Sequence, residues 1–467
     1  MRSDVADRSI LSKLPGVDTV LADPSLDMLK KRLSQEHLTS FVRASVDVVR
    51  ADILAGGDRS DDLKQEVLAE VEARANRFLA PALKRVINAT GVVLHTNMGR
   101  APMSQEAVDR IVETATGYTN LELDLETGGR GSRTDLVESL VCRLTGAESA
   151  AIVNNNAAAV LLGLNTLAQG KEAVVSRGQL VEIGGSFRIP DIMERSGAVM
   201  VEVGTTNRTH AKDFENAISE QTGLLLSVHP SNYEVVGFTS EVPLVDLVEI
   251  GHTREVPVLH DLGAGCLIDT RSMGLGYEPL VSDSVDAGAD VITFSGDKVL
   301  GGPQCGILVG RREKITQIRQ NPLMRALRCD KMTYAALEAT LRLFLDPETL
   351  SDRHPVIGML TASLDEVRRR AEELARAIGD VSAEIEIVDS EGQVGSGALP
   401  IERVPSVAVR VLPKSQSVDA LARRLRSETV PVVGYTRDDA LHLDTRTITR
   451  TEIVSVADSV RSCLEAE

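Results

Sequence analysis

Apolar positions recur in three different rhythms along this chain, and each rhythm predicts a different kind of structure. Over the first eighty residues they return every three or four positions. After the helix-start signal Asp23-Pro24-Ser25, a segment near Leu26 to Leu33 is followed by one carrying Val42, Val46, Val49 and Ile53. Another carries Leu63, Val67, Val71, Ala75 and Phe78. That spacing lays a single apolar stripe along a helix. Gly56-Gly57-Asp58 separates the last two stripes, and no seven-residue repeat persists long enough for a coiled coil. The pattern predicts a helical domain over residues 1–60 and a helical linker over 61–87.

From about Asn88 the rhythm changes to short, continuous β-branched runs: Ala150 to Val153, Ala173 to Ser176, Ala198 to Val203, Gly223 to Val228, Val256 to His260, Asp290 to Phe294 and Gly306 to Val309. Runs without alternation predict strands covered on both faces, hence an α/β fold with a mainly parallel sheet over residues 88–340. In such sheets ligands gather beyond the carboxyl ends of the strands. A helical stretch near Met332 to Phe344 is followed by a mixed rhythm over residues 341–467. It comprises a charged helix from Leu364 to Ile378, strand-like Val404 to Leu412, a helix near Val418 to Ser427, a short apolar run Val430 to Val433, strand-like Ala440 to Leu443 and a closing helix. This predicts a small α+β domain.

Charge complicates the picture. The 467 residues carry 51 Lys plus Arg against 68 Asp plus Glu, a net charge of −17. Taken whole, that argues against nucleic acid, whose phosphates are bound by clustered cations. No run of about 18 apolar residues could span a bilayer, so no membrane association is predicted. The N-terminus MRSDVADRS lacks the pattern of a secretion signal, which predicts a cytoplasmic protein. Cys142, Cys266, Cys305, Cys329 and Cys463 are scattered, with no C-x-x-C pair, and predict reduced thiols without a metal site.

The familiar nucleotide and zinc motifs, G-x-G-x-x-G, G-x-x-x-x-G-K-[ST] and H-E-x-x-H, do not occur. The chemistry concentrates instead in ADVITFSGDKVLGGPQCGILVG, residues 289–310, where an apolar strand ends and presents Lys298 before a glycine-rich turn. Desolvation there lowers a lysine's pKa and frees its amine for Schiff-base formation with an aldehyde cofactor. Thirty-seven residues earlier, VPVLHDLGAG supplies Asp261 at the end of another apolar strand. It can keep a pyridine nitrogen protonated, or simply cap a turn. In AAIVNNNAAAVLLGL, a strand runs through Asn154, Asn155 and Asn156 into a helix starting near Ala157. That junction is either a phosphate seat or a plain helix cap. Ser295 can add a hydroxyl to the same phosphate. Arg325 and Arg328, three apart on one helical face, and Arg100 in a Gly-flanked turn suit phosphate or carboxylate binding. Cys305 reads as a small buried hydrophobe, His229 as a structural polar group or a cofactor contact. With no Trp in the chain, Gln179, His229 and Tyr233 are the candidates to stack on a cofactor ring.

Several long segments in fixed order extend this reading: RVINATGVVLHTNMGRAP, GYTNLELDLETGGRGSR, NNNAAAVLL, SRGQLVEIGGSFRIPDIM, EVGTTNRT, SVHPSNYEVVGF, HDLGAG, SGDKVLGGPQCG and NPLMRALRCDK. Together with LPGVDTVLADP, GSGALPIERVPS and LHLDTRTI, they make the chain resemble the bacterial L-seryl-tRNA(Sec) selenium transferases over essentially its whole length. The resemblance implies a fold-type-I pyridoxal-phosphate enzyme with Lys298 as Schiff-base lysine and Asp261 as the pyridinium partner. Arg100, Arg325 and Arg328 would handle a phosphate-bearing selenium donor, selenophosphate. It also implies an N-terminal domain that grips tRNA and a homo-oligomer built from dimers, up to a decamer. The implied reaction is β-elimination of the seryl hydroxyl to an aminoacrylyl-tRNA, then addition of selenium. A related lyase acting on a small phosphorylated amino acid or amino-sugar acid, without tRNA, is the alternative, and an inactive tRNA-binding scaffold is a third possibility. Counted by region, residues 1–90 hold 14 Lys plus Arg and 14 Asp plus Glu, so the acidic excess falls wholly outside the expected tRNA-binding part. That balance suggests recognition of tRNA shape by a few placed cations.

Overall fold

A computed structural model describes residues 10–55, 62–183, 187–233, 235–399 and 402–465. The expected break at Gly56-Gly57-Asp58 lies outside them. The chain divides into two units, Met1–Arg85 and Val86–Glu467.

In the first unit, helices α1 (Gln35–Leu54) and α2 (Leu63–Leu79) pack together. Each starts where a side chain meets the free amides of the first turn: Ser34 accepts from the His37 amide, and Asp62 from those of Lys64 and Gln65. Val42, Val46, Val49 and Ile53 of α1 share one core with Val67, Val71 and Ala75 of α2. Complete burial of such a side chain contributes about 1.5–3 kcal/mol. The helix that the pattern assigns to a linker is therefore part of this core.

The second unit is built on a seven-stranded sheet of β1 (Ser149–Val153), β2 (Glu172–Ser176), β3 (Val199–Val203), β4 (Thr222–Val228), β5 (Val258–Gly263), β6 (Val291–Ser295) and β7 (Gly306–Gly310). Their spatial order is β1-β7-β6-β5-β4-β2-β3. Every pair is parallel except those made by β7, which runs antiparallel to both neighbours. The residues of β1, β5, β6 and β7 are all buried, as continuous apolar runs require. The edge strand β3 departs from that rule, with Val199 and Met200 exposed. β5 departs differently. A register shift between Asp261 and Gly263 carries the strand past its expected end, so Asp261 lies within β5 rather than at its terminus.

Helices α3 (Asn156–Ala168), α4 (Leu323–Leu327) and α5 (Lys331–Leu343) lie in this part, and α6 (Leu364–Ile378) opens the small domain. Its four-stranded antiparallel sheet joins β8 (Ala383–Gly392), β9 (Val404–Pro413), β10 (Tyr435–Arg437) and β11 (Ala440–Asp444) in the order β8-β9-β11-β10. Helices α7 (Val418–Ser427) and α8 (Ile453–Glu465) complete its core with α6. The apolar rhythm does not predict β8, because this strand is half exposed and carries Glu384, Glu386 and Asp389.

The LHLDTRTI segment has a structural job. Arg446 is buried, and its guanidinium donates to the carbonyls of Met359, Ala362 and Pro405. The Asp444 amide donates to the Ala89 carbonyl, and the Gly91 amide to Thr447 Oγ1. These bonds fasten the strand segment that leads into His95–Arg100 onto the small domain.

Candidate active site

The site begins with a feature of sheet register. Gly306, the first residue of β7, pairs on one side with Val153 at the end of β1 and on the other with Ser295 at the end of β6. The chain leaving β1 and the chain leaving β6 are thereby held side by side. A Cβ on Gly306 would stand 2.1 Å from the Asn155 carbonyl oxygen, so only glycine permits this approach.

Beyond these strand ends lies a cleft of about 450 Å³. Seven expected site residues line it: Lys298, Asp261, Ser295, Asn155, Asn156, Ala157 and Arg100. Lys298 is 6% exposed, in the turn after β6. Burial pushes its amine pKa down, against the pull of the Asp261 carboxylate, while Arg100 lowers it further. The turn itself is fixed by three backbone bonds, Gly296 to the Cys305 carbonyl, Gly301 to that of Lys298 and Gly302 to that of Gly296. His354 braces it from below. Its Nδ1 accepts from the Ile357 amide, which leaves Nε2 as the donor to the Leu300 carbonyl at 2.9 Å.

Asp261 is 5% exposed, and its Oδ1 accepts from Asn156 Nδ2 at 2.8 Å and Thr293 Oγ1 at 2.9 Å. Burial raises its carboxyl pKa, opposed by these two bonds and by Lys298. Both donors converge on one oxygen, which orients the carboxylate in the cleft wall.

At the start of α3, the Asn155 side chain caps the Ala158 amide at 2.8 Å. The two preceding amides, of Asn156 and Ala157, have no intrahelical acceptor by helix geometry. Asn156 also keeps a buried side-chain oxygen without a partner. Free amides at the positive end of a thirteen-residue helix form an anion seat. Taken together, a desolvated amine, a buried oriented carboxylate and an anion seat fit an aldehyde that carries a ring nitrogen and a phosphate.

Arg100 sits in a left-handed turn with φ 64°, and its Nη1 lies 2.6 Å from Asp297 Oδ2. Arg325 and Arg328 are not among the residues lining the cleft. Nor do they share a helical face. α4 ends at Leu327, whose carbonyl accepts from the Asn154 amide instead of continuing the helix, and Arg328 follows in extended backbone. Both side chains are exposed, Arg328 lying 3.6 Å from Glu122.

Of the three stacking candidates, His229 lines the cleft. Gln179 spends its carbonyl on the Val228 amide, and the Tyr233 hydroxyl donates to the Gly178 carbonyl. Cys305 is fully buried, and burial pushes its thiol pKa well up, as suits an unreactive packing residue. Two residues escape sequence reasoning. Thr293 had a signal, being a hydroxyl in the middle of a buried strand. Glu278, buried at 2% in a Tyr-Glu-Pro stretch that reads as surface loop, had none.

The chain is similar to known proteins over most of its length. Residues 86–449 match the family model described as L-seryl-tRNA selenium transferase. The L-seryl-tRNA(Sec) selenium transferase of Nitratidesulfovibrio vulgaris is 51% identical over 438 residues, covering 92% of this chain and 93% of the relative. That of Carboxydothermus hydrogenoformans is 47% identical over 446 residues, covering 95% and 96%. Among solved structures, a D-glucosaminate-6-phosphate ammonia-lyase superposes with a TM-score of 0.58 at 22% identity, covering 84% of this chain and 98% of that one. The last likeness is one of fold.

Proposed function

This chain belongs to the L-seryl-tRNA selenium transferase family, and from that premise we propose that the cleft around Lys298 and Asp261 is its active site. The enzyme converts L-seryl-tRNA(Sec) to L-selenocysteinyl-tRNA(Sec) and depends on pyridoxal phosphate. When bound, that cofactor supplies an electron sink for the carbanion formed at the seryl Cα.

Lys298 holds the cofactor aldehyde in this reading. Its amine, with its pKa depressed by burial, would take the proton from the seryl Cα. Asp261 keeps the ring nitrogen protonated. The Asn156 and Ala157 amides, capped by Asn155, seat the phosphate together with the Ser295 hydroxyl. Arg100, Arg325 and Arg328 are assigned to selenophosphate and the seryl end of the substrate. Arg325 and Arg328 lie outside the single-chain cleft, so we assign the working form to a dimer-based homo-oligomer, up to a decamer, in which a neighbouring chain's cleft is open to them. The helical N-terminal domain is assigned to tRNA, and the reaction to the cytoplasm. Among the described residues no helix is long and apolar enough to cross a membrane.

The observation that carries this reading is the buried Lys298 and Asp261 facing one cleft beside the anion seat at the start of α3. Lys298→Ala should abolish both the cofactor's protein-bound absorbance and selenium transfer, and survival of both would refute the assignment. A gel shift separates the enzyme from a tRNA-independent lyase. It should favour tRNA(Sec) over serine tRNA, and equal binding would support the lyase.

A further inference from the structure

Glu278 is a buried carboxylate beside the cleft that the reaction as described does not use. Its backbone amide donates to Thr270 Oγ1 at 3.1 Å, and its Oε2 accepts from the Leu399 amide at 3.0 Å, so the side chain is pinned at both ends. The other oxygen, Oε1, is buried without a hydrogen-bond partner. It faces His229 Nε2 at 3.7 Å, a few tenths of an ångström beyond a hydrogen bond. The His229 backbone amide in turn donates to the Asp261 carbonyl at 2.9 Å, and the ring lines the cleft with Lys298.

We infer that Glu278 is a positioning residue whose Oε1 accepts a hydrogen bond from the Nε2–H of His229 and so fixes that ring beside Lys298. The inference rests on the reading of Lys298 as the cofactor lysine. A buried, unpartnered acceptor gains from a donor aimed at it, and among the described residues His229 is the basic side chain that comes within 4 Å of it, the Cys266 thiol donating instead to the Ile268 carbonyl. Glu278 also faces Lys298 and the Cys266 thiol, and His229 faces Lys298 and His260. Burial lifts the Glu278 carboxyl to about 7, against the Leu399 bond and the Lys298 charge. Burial first, and then Lys298, lowers the His229 pKa. Loss of the Glu278 proton as pH rises past about 7 therefore switches on a charged acceptor for His229.

Glu278→Gln is the test, because the amide oxygen can still accept from Leu399. In the wild-type holoenzyme, kcat for selenium transfer should fall below about pH 7. In Glu278→Gln that limb should vanish and kcat at pH 8 should drop about tenfold, the loss of one charge-assisted bond. A second reading comes from acylation of histidine by diethyl pyrocarbonate, followed by peptide mapping of the full-length chain freed of cofactor. The His229 midpoint should fall by about one pH unit in Glu278→Gln. An unchanged pH profile with an unchanged midpoint would overturn the inference. If Glu278→Gln does not fold, the wild-type pH profile decides, since a kcat that does not fall below about pH 7 overturns the inference. If Lys298→Ala still transfers selenium, the underlying reading of the site falls instead.

Discussion

The cleft floor and the arginine segment are both part of the candidate site, yet the molecule holds them in opposite ways. Lys298 and Asp261 stand 6% and 5% exposed on or just beyond central strands, held by bonds from the sheet, its turns, Asn156 of α3 and His354. Arg325 and Arg328 are exposed, on and after a five-residue helix that packs Met324 and Leu327 on the core, and Arg328 lies 3.6 Å from Glu122. The difference teaches that the floor is preorganised at a cost in desolvation, whereas the arginines keep their hydration, with Arg328 held only by a surface ion pair.

Asp261→Asn probes that contrast most strongly. It keeps an acceptor for Asn156 and Thr293 but removes the charge, so selenium transfer should drop by about 10²- to 10³-fold. Stability should move the other way. Burial raises the folded-state pKa of Asp261, so its contribution to stability is full below the ordinary aspartate value of 3.8 and is lost as pH rises through the folded value. The cofactor-free variant should therefore melt higher than wild type at pH 8, with the gap closing near pH 3.5 to 4. A melting difference independent of pH would mean that the floor is not strained by charge.

Gly306→Ala comes next. Its methyl would force the Asn155 carbonyl aside, costing about 3 kcal/mol in a denaturant midpoint series. Retention of cofactor should weaken with it, because the same displacement spoils the anion seat. Arg325→Ala should have the smallest effect on the fold, within about 0.5 kcal/mol. Its effect should show as a raised KM for selenophosphate with cofactor absorbance intact. Mixing inactive Lys298→Ala with Arg325→Ala chains should restore part of the activity if arginines serve a neighbour's cleft; no restoration would return them to their own.

Legibility from sequence follows the same division. All seven central strands were foreseeable to within a few residues, six because burial leaves a continuous apolar run and the edge strand β3 from its run of valines despite its exposure. β8 was not, because Ala383–Gly392 packs one face only and spends its other positions on Glu384, Glu386 and Asp389. Lys298 was readable from its place between an apolar strand and a glycine-rich turn. Thr293 was readable in principle, as a hydroxyl in the middle of a buried strand, though only the register set it opposite Asp261. Glu278 was not, because a loop glutamate is ordinarily solvated and only three-dimensional packing takes its water away.

The amino-acid sequence alone determined which segments must be buried, where strands run into turns, and that lysine, aspartate and asparagine stand at those junctions. Such properties are local, set by transfer free energy and backbone geometry over a few residues. The tertiary structure alone decided that Gly306 would draw two strand ends together and that the Leu327 carbonyl would stop α4 one residue before Arg328. It also decided that Glu278 would face His229. Those outcomes depend on register and packing between residues tens to hundreds of positions apart, which no local pattern encodes.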